Sequence, residues 1–253
     1  MRRILISRAT VGRTDLSGPQ AHHLRDVLRL KVGEKIEVFD ETGVRGRGRI
    51  SSVTPAGISI EVDEIVRGRG DASGLTIAAA IPKGARADWM IEKLGELGVE
   101  ALIPLSTRRS IVLPRGGGKQ DRWRRLAAAA AEQSGRRGVM RIESLTQLPV
   151  VIERAKAAGS AVWQLSLDEA AVPILQLVSA LPESLTVLVG PEGGWSAEEG
   201  GALGAAGIVP VRLTPTILRV ETAAVAAAAI IQSALTSALP GPNIPSDNAS
   251  KPP

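Results

Sequence analysis

The chain has 253 residues and no cysteine, which excludes disulfides, thiolate metal sites and a cysteine nucleophile. Hydrophobic residues make up 44% and charged residues 23%, ordinary values for a globular chain long enough for one large or two modest domains. The net charge of +5 is uneven: between Arg108 and Arg141 ten basic residues face two acids, so this segment carries +8 and the rest of the chain −3.

In chain order, residues 1–72 read as a small β-rich module. The first eight residues are too short and too quickly polar for a secretory signal, and no apolar run reaches about 18 residues, so a cytoplasmic location is expected. Residues 19–30 carry Leu24, Val27, Leu28 and Leu30 at helical spacing and predict a helix. His22 and His23 at its start are adjacent and do not share a helical face, so no metal site is expected. Residues 35–40, 48–53 and 57–62 predict strands. The polar, glycine-rich stretch 67–74 reads as a linker.

From residue 75 onward strands alternate with helices. Strands are predicted at 75–81, 101–105, 160–165, 185–190 and 209–213, and helices at 86–98, 121–134, 149–158, 196–206 and 222–235. Such alternation implies a parallel sheet covered on both faces. Residues 240–253, with five prolines and no apolar periodicity, are expected to be a disordered tail.

Two runs stand out in the second half. An apolar strand ends in Gly190, Pro191, Glu192, Gly193 and Gly194, and Ser196 with Glu199 then forms a capping box that opens a helix. A glycine turn at the carboxyl end of a buried strand is where open α/β sheets bind small ligands, although the residues alone also fit a purely structural turn. The turn is neither a dinucleotide fingerprint nor a phosphate loop, because it has no lysine and carries Glu192. The second run, Leu218, Arg219, Val220, Glu221, Thr222 and Ala223, places an arginine and a glutamate two residues apart ahead of an alanine-rich helix. On an extended segment the two charges would point to one side and could pair with each other; a catalytic role is equally open.

The basic segment reads as a patch facing a polyanion, against the alternative of a solvated helical face. Tyrosine is absent and Phe39 is the only phenylalanine, so stacking on nucleic-acid bases would rely on Trp89, Trp123, Trp163, Trp195 or arginine planes. The helix before Gly135 ends in Glu132, Gln133 and Ser134 and is followed by Arg136, from which Gln133 and Arg136 could reach RNA.

These motifs, together with Lys83-Gly84, Glu96-Leu97-Gly98 and the run from His23 to Arg29, resemble the ribosomal RNA small subunit methyltransferase E family of the SPOUT class over about residues 1–237. The resemblance implies a PUA-like β-barrel RNA-binding domain at 1–72 and a SPOUT-type α/β trefoil-knot methyltransferase domain at 73–239. It implies methylation of N3 of one uridine in 16S ribosomal RNA with S-adenosyl-L-methionine as cofactor, by a homodimer acting on the rRNA or the assembled small subunit, with neither membrane nor metal involved. A noncatalytic RNA-binding assembly factor that keeps the fold is the alternative. By the resemblance, the cofactor would be held by Leu165, Leu167, Gly190, Pro191, Glu192, Gly193, Gly194, Leu213, Leu218, Thr222 and Ala223. Arg219 and Glu221 would be catalytic, and Arg25, Arg29, Arg108, Arg122, Arg124, Arg125, Gln133 and Arg136 would bind RNA. The absence of cysteine agrees with nitrogen or oxygen methylation, since transfer to pyrimidine C5 usually calls on a covalent nucleophile.

Overall fold

The structure is a computed structural model that describes residues 2–66, 74–110, 117–136 and 138–237. Residues 67–73 of the linker expected at 67–74, and the tail at 240–253, lie outside the described residues. The N-terminal unit contains β1 (Arg2–Leu5), β2 (Gly12–Ser17), α1 (Gly18–His22), a π-helical turn (His23–Val27), β3 (Lys35–Phe39), β4 (Arg45–Thr54) and β5 (Gly57–Val66). Its sheet runs β1-β3-β4-β5-β2, with β1 parallel to β3 and the other pairs antiparallel. Alternation along β4 and β5 sends Ile50, Ile58, Ile60 and Val62 inward, where Ile4, Ile36 and Val38 join them in one core with Ala21, Leu24 and Leu30 of the helical segment.

The helix expected at 19–30 takes another form. After one α turn the Leu28 N–H reaches back five residues to the His23 carbonyl, and the Leu30 N–H to that of Leu24. Arg29 closes the element with φ of 53°, a left-handed C-cap position usually given to glycine. The widened turn and this cap bring both Leu24 and Leu30 into the core, which a regular helix would place about 120° apart around its axis. β1 and β2 were not expected because neither alternates: β1 is too short, and β2 is a polar edge strand recruited by its ladder with β5.

The second unit contains β6 (Leu75–Ala79), α2 (Ala85–Glu96), β7 (Ala101–Ser106), α3 (Gly117–Ser134), β8 (Arg141–Ile142), β9 (Thr146–Gln147), α4 (Leu148–Ala157), β10 (Ala161–Leu165), β11 (Val172–Pro173), α5 (Ile174–Leu177) with a following 3₁₀ turn (Val178–Ala180), β12 (Leu185–Val189), α6 (Ala197–Ala205), β13 (Val209–Arg212) and α7 (Val220–Ser237). Every strand and helix expected here is present. The sheet is parallel throughout, in the order β11-β13-β10-β12-β6-β7-β8, with β9 beside β7. α2, α3 and α7 cover one face, where Ile77, Val187, Met90, Leu94, Ala127 and Ile231 form the larger core. α4 and α6 cover the other, with Ala78, Leu188, Val151 and Leu203. All five residues of β12 are buried, as a central parallel strand requires.

The units are tied by the Leu5 N–H, which donates to the Glu132 carboxylate at 2.9 Å. No helix among the described residues is long and apolar enough to cross a membrane.

Candidate functional site

Strand β10 has neighbours reached from opposite directions: the chain passes from β10 to β12 on one side and then to β13 on the other. The helices that follow leave to opposite faces, α6 to one core and α7 to the other. A crevice at the carboxyl ends of the strands is the geometric consequence, and it is where open α/β sheets take ligands. Here it is a cleft of about 730 Å³. Its walls are three loops: Leu165 to Asp168 after β10, Gly190 to Trp195 after β12, and Leu213, Thr214, Thr216, Ile217, Leu218 and Arg219 after β13, with Val220 and Ala223 from the start of α7.

The glycine turn has the form its sequence requires. A Cβ at Gly190 would come within 3.0 Å of the Trp195 ring, so only glycine lets the indole lie against the strand end. Gly194 has φ of 71°, and its N–H donates to the Pro191 carbonyl at 2.8 Å to close the turn. The capping box is formed: Ser196 Oγ accepts from the Glu199 N–H and the Glu199 carboxylate from the Ser196 N–H. Glu199 also accepts from the Arg108 N–H at 2.9 Å. Burial by itself pushes the Glu199 carboxyl up, but the Ser196 and Arg108 donors outweigh it and hold Glu199 below the ordinary glutamate value.

Arg219 and Glu221 do not pair. The Arg219 carbonyl accepts from the Ala223 N–H, so α7 begins immediately after it and the two side chains diverge with the helical twist. Arg219 is exposed at the cleft mouth, with no ion-pair partner among the described residues. Glu221 is 6% exposed and its Oε1 lies 3.6 Å from Arg86, while Oε2 has no hydrogen-bond partner. The same Arg86 nitrogen donates to Glu192 at 3.1 Å, so one cation joins the glycine turn to the start of α7. Sequence reading missed Arg86 because it lies 106 residues from Glu192, and only the neighbouring Lys83-Gly84 hinted at a role for that region. Thr222 is exposed and does not line the cleft, because the first turn of α7 rotates it away; the other expected cofactor residues do line it.

The residues expected to meet RNA fall into three groups. Arg29, Arg108, Arg125 and Gln133 are exposed. Arg122 and Arg124 are exposed but ion-paired, to Asp88 and Asp121 at 2.8 and 2.9 Å, and Arg25 holds Asp26 and the Thr54 and Pro55 carbonyls. Arg136 is a correction. It is 9% exposed, and its guanidinium donates to the Gly95, Val99 and Gly98 carbonyls, satisfying the end of α2 instead of facing a ligand. Trp123 and Trp163 are likewise core residues at 3% and 6% exposure, leaving Trp89, at 44%, as the most exposed indole among the described residues.

A parallel α/β unit with a glycine-lined cleft at its switch point, preceded by a small β unit, matches two families of known domains. Residues 71–232 match the family described as RNA methyltransferase domain, and residues 16–63 match the RNA methyltransferase PUA domain. Curated relatives include the ribosomal RNA small subunit methyltransferase E of Bacillus subtilis, 31% identical with 82% of this chain and 85% of the relative covered, and that of Mycobacterium bovis, 32% identical with 84% and 83% covered. Among solved structures, the Neisseria gonorrhoeae ribosomal RNA small subunit methyltransferase E bound to S-adenosylmethionine superposes with a TM-score of 0.82 at 29% identity, covering 92% of this chain and 97% of that one. A Legionella pneumophila protein with S-adenosylmethionine bound as cofactor reaches 0.81 at 27% identity, with the same coverage. The chain belongs to the ribosomal RNA small subunit methyltransferase E family.

Proposed function

We propose that this protein transfers a methyl group from S-adenosyl-L-methionine to N3 of a uridine in 16S ribosomal RNA. The observation that carries the reading is the cleft at the carboxyl ends of β10, β12 and β13, with its glycine turn and the Arg219 mouth. The residues present fit the cofactor. Leu165, Leu167, Leu213, Ile217 and Leu218 offer an apolar bed for a nucleoside, backbone at Gly190 and Gly193 can approach it closely, and Glu192 and Asp168 complement a sulfonium or ammonium charge.

When bound, the cofactor supplies an electrophilic methyl group. The chain's task is then mainly positioning: the three loops orient the donor, and the mouth must present N3 in line with it. Loss of the N3 proton to solvent water leaves negative charge on the two uracil carbonyl oxygens. Arg219, exposed beside the amino-terminal end of the 18-residue α7, supplies a cation and adjacent helix dipole to stabilise that charge. Glu221 is held by Arg86 behind the turn and orders the pocket in this reading.

The domain division at 72/73 and a PUA-like RNA-binding role for the first unit complete the proposal. A trefoil knot is part of the same reading, supported by the packing of α7, which follows edge-side β13, on β6, β12 and the turn at Val178–Ala180. A homodimer is part of the same reading. A cytoplasmic location follows from an rRNA substrate. Calorimetric titration of the full chain with S-adenosylmethionine tests the cofactor, binding being expected in the micromolar range, and its absence at high micromolar ligand would refute the reading. Mass mapping of 16S rRNA from a deletion strain tests the target: loss of one N3-methyluridine is expected, and an unchanged uridine rules it out.

A further inference from the structure

Arg109 belongs by sequence to the basic segment that reads as a polyanion patch, yet its side chain is directed at the glycine turn. Its Nη1 donates to the Gly193 carbonyl at 2.6 Å and to the Trp195 carbonyl at 3.3 Å. Its aliphatic stem lies over Gly193, where an added Cβ would sit 3.4 Å from Arg109 Cδ. The loop that carries it is itself built. The Thr107 N–H donates to Ser110 Oγ, the Ser110 N–H to the Thr107 carbonyl, and Ser110 Oγ to that of Leu105. The neighbouring Arg108 N–H is bonded to Glu199 at the start of α6.

A turn with three glycines in five residues is entropically costly to order, and within 190–194 it is restrained by the Pro191 ring and the Gly194 to Pro191 bond. Further restraint comes from outside, on two flanks: Arg86 holds the Glu192 carboxylate and Arg109 holds the backbone carbonyls. Fixing a long exposed arginine costs side-chain entropy, which two charge-assisted hydrogen bonds offset. We infer that Arg109 is a positioning residue, which preorganises the 190–194 turn for the cofactor from the loop after β7. The inference rests on the cofactor reading above and adds to it a residue outside the three cleft loops. Preorganising a binding loop tightens affinity by removing the ordering cost from the binding step.

The test is titration of full-length wild type, Arg109→Ala and Arg109→Lys with S-adenosylmethionine, alongside binding of a 16S-derived RNA fragment without cofactor. Arg109→Ala is expected to weaken the cofactor about tenfold, the scale of a lost charge-assisted bond. Arg109→Lys should keep most of the affinity, since an ammonium still donates to a carbonyl, and RNA affinity should stay within about twofold of wild type in both, because the guanidinium is taken up by the turn carbonyls and makes no phosphate contact. Unchanged cofactor affinity in Arg109→Ala overturns the inference, as does a loss confined to RNA. Should Arg109→Ala melt early, Arg109→Gln, which retains the length and a donor without the charge, decides by the same titration. A wild-type chain that binds no S-adenosylmethionine would instead sink the cofactor reading itself.

Discussion

At the scale of single residues, the arginines separate by what their guanidinium groups can reach. Arg136 follows the glycine that ends α3, a position from which its side chain turns inward and meets three carbonyls at the end of α2. Its neighbours on α3 point outward. Arg136→Ala should therefore destabilise the fold by about 2–4 kcal/mol, because it orphans buried acceptors, and should leave the salt dependence of RNA binding unchanged. Urea melts together with RNA titrations at several salt concentrations check both halves; a stable variant with a reduced salt slope would return Arg136 to the RNA surface. Arg29 shows the opposite case. It occupies a left-handed position that glycine would fill with less strain, and its side chain is exposed. Nothing in the local backbone favours arginine there.

At the scale of elements, the βα corner after β12 was legible because its signals are local. A buried apolar strand, three glycines and a capping box lie within fifteen consecutive residues, and each constrains the backbone without help from elsewhere. The loops after β10 and β13 are not of that kind. They line the same cleft only because β10 and β13 are neighbours in the sheet, a pairing of residues about 46 positions apart that no periodicity announces. Short β8, β9, β11 and α5 escaped for a related reason: two to four residues contain no full period of either pattern. Gly190→Ala tests how tightly the corner is built. A Cβ 3.0 Å from the Trp195 ring must displace the indole, so overpacking should cost about 1–3 kcal/mol. Cofactor affinity, read by calorimetry, should fall tenfold or more, which is the same energy scale. An alanine variant with wild-type stability and affinity would mean that the ring moves freely and that the contact does not shape the cleft.

At the scale of the whole molecule, charge and architecture must be read together. The +8 segment is a property of sequence, but ion pairs to Asp88, Asp121 and Glu100 draw on Arg122, Arg124 and Arg141, and Arg109 and Arg136 serve backbone carbonyls. What remains facing solvent is smaller than the sequence count. Replacing Arg122, Arg124 and Arg125 together should weaken RNA binding and lower its salt dependence by up to about three phosphate contacts, the two ion pairs yielding readily because they are surface pairs. A salt slope equal to that of wild type would identify this face as solvated only. The Glu132 carboxylate on the Leu5 N–H gives the two units a shared contact beside this surface.

By itself the sequence determined the class of each long element, the parallel covered sheet, the glycine turn with its capped helix and, through two motifs in order, the family. Those properties depend on side-chain periodicity and on backbone requirements within a few residues, and both are written locally. Only the tertiary structure decided that Arg86 joins Glu192 to Glu221, that Arg109 is bonded to the glycine turn, that Arg136 and Trp123 are interior, and that Thr222 turns away from the cleft. Each of these depends on which strands lie side by side and how far a helix has rotated when it meets its neighbour, distances that exist only once the chain has closed on itself.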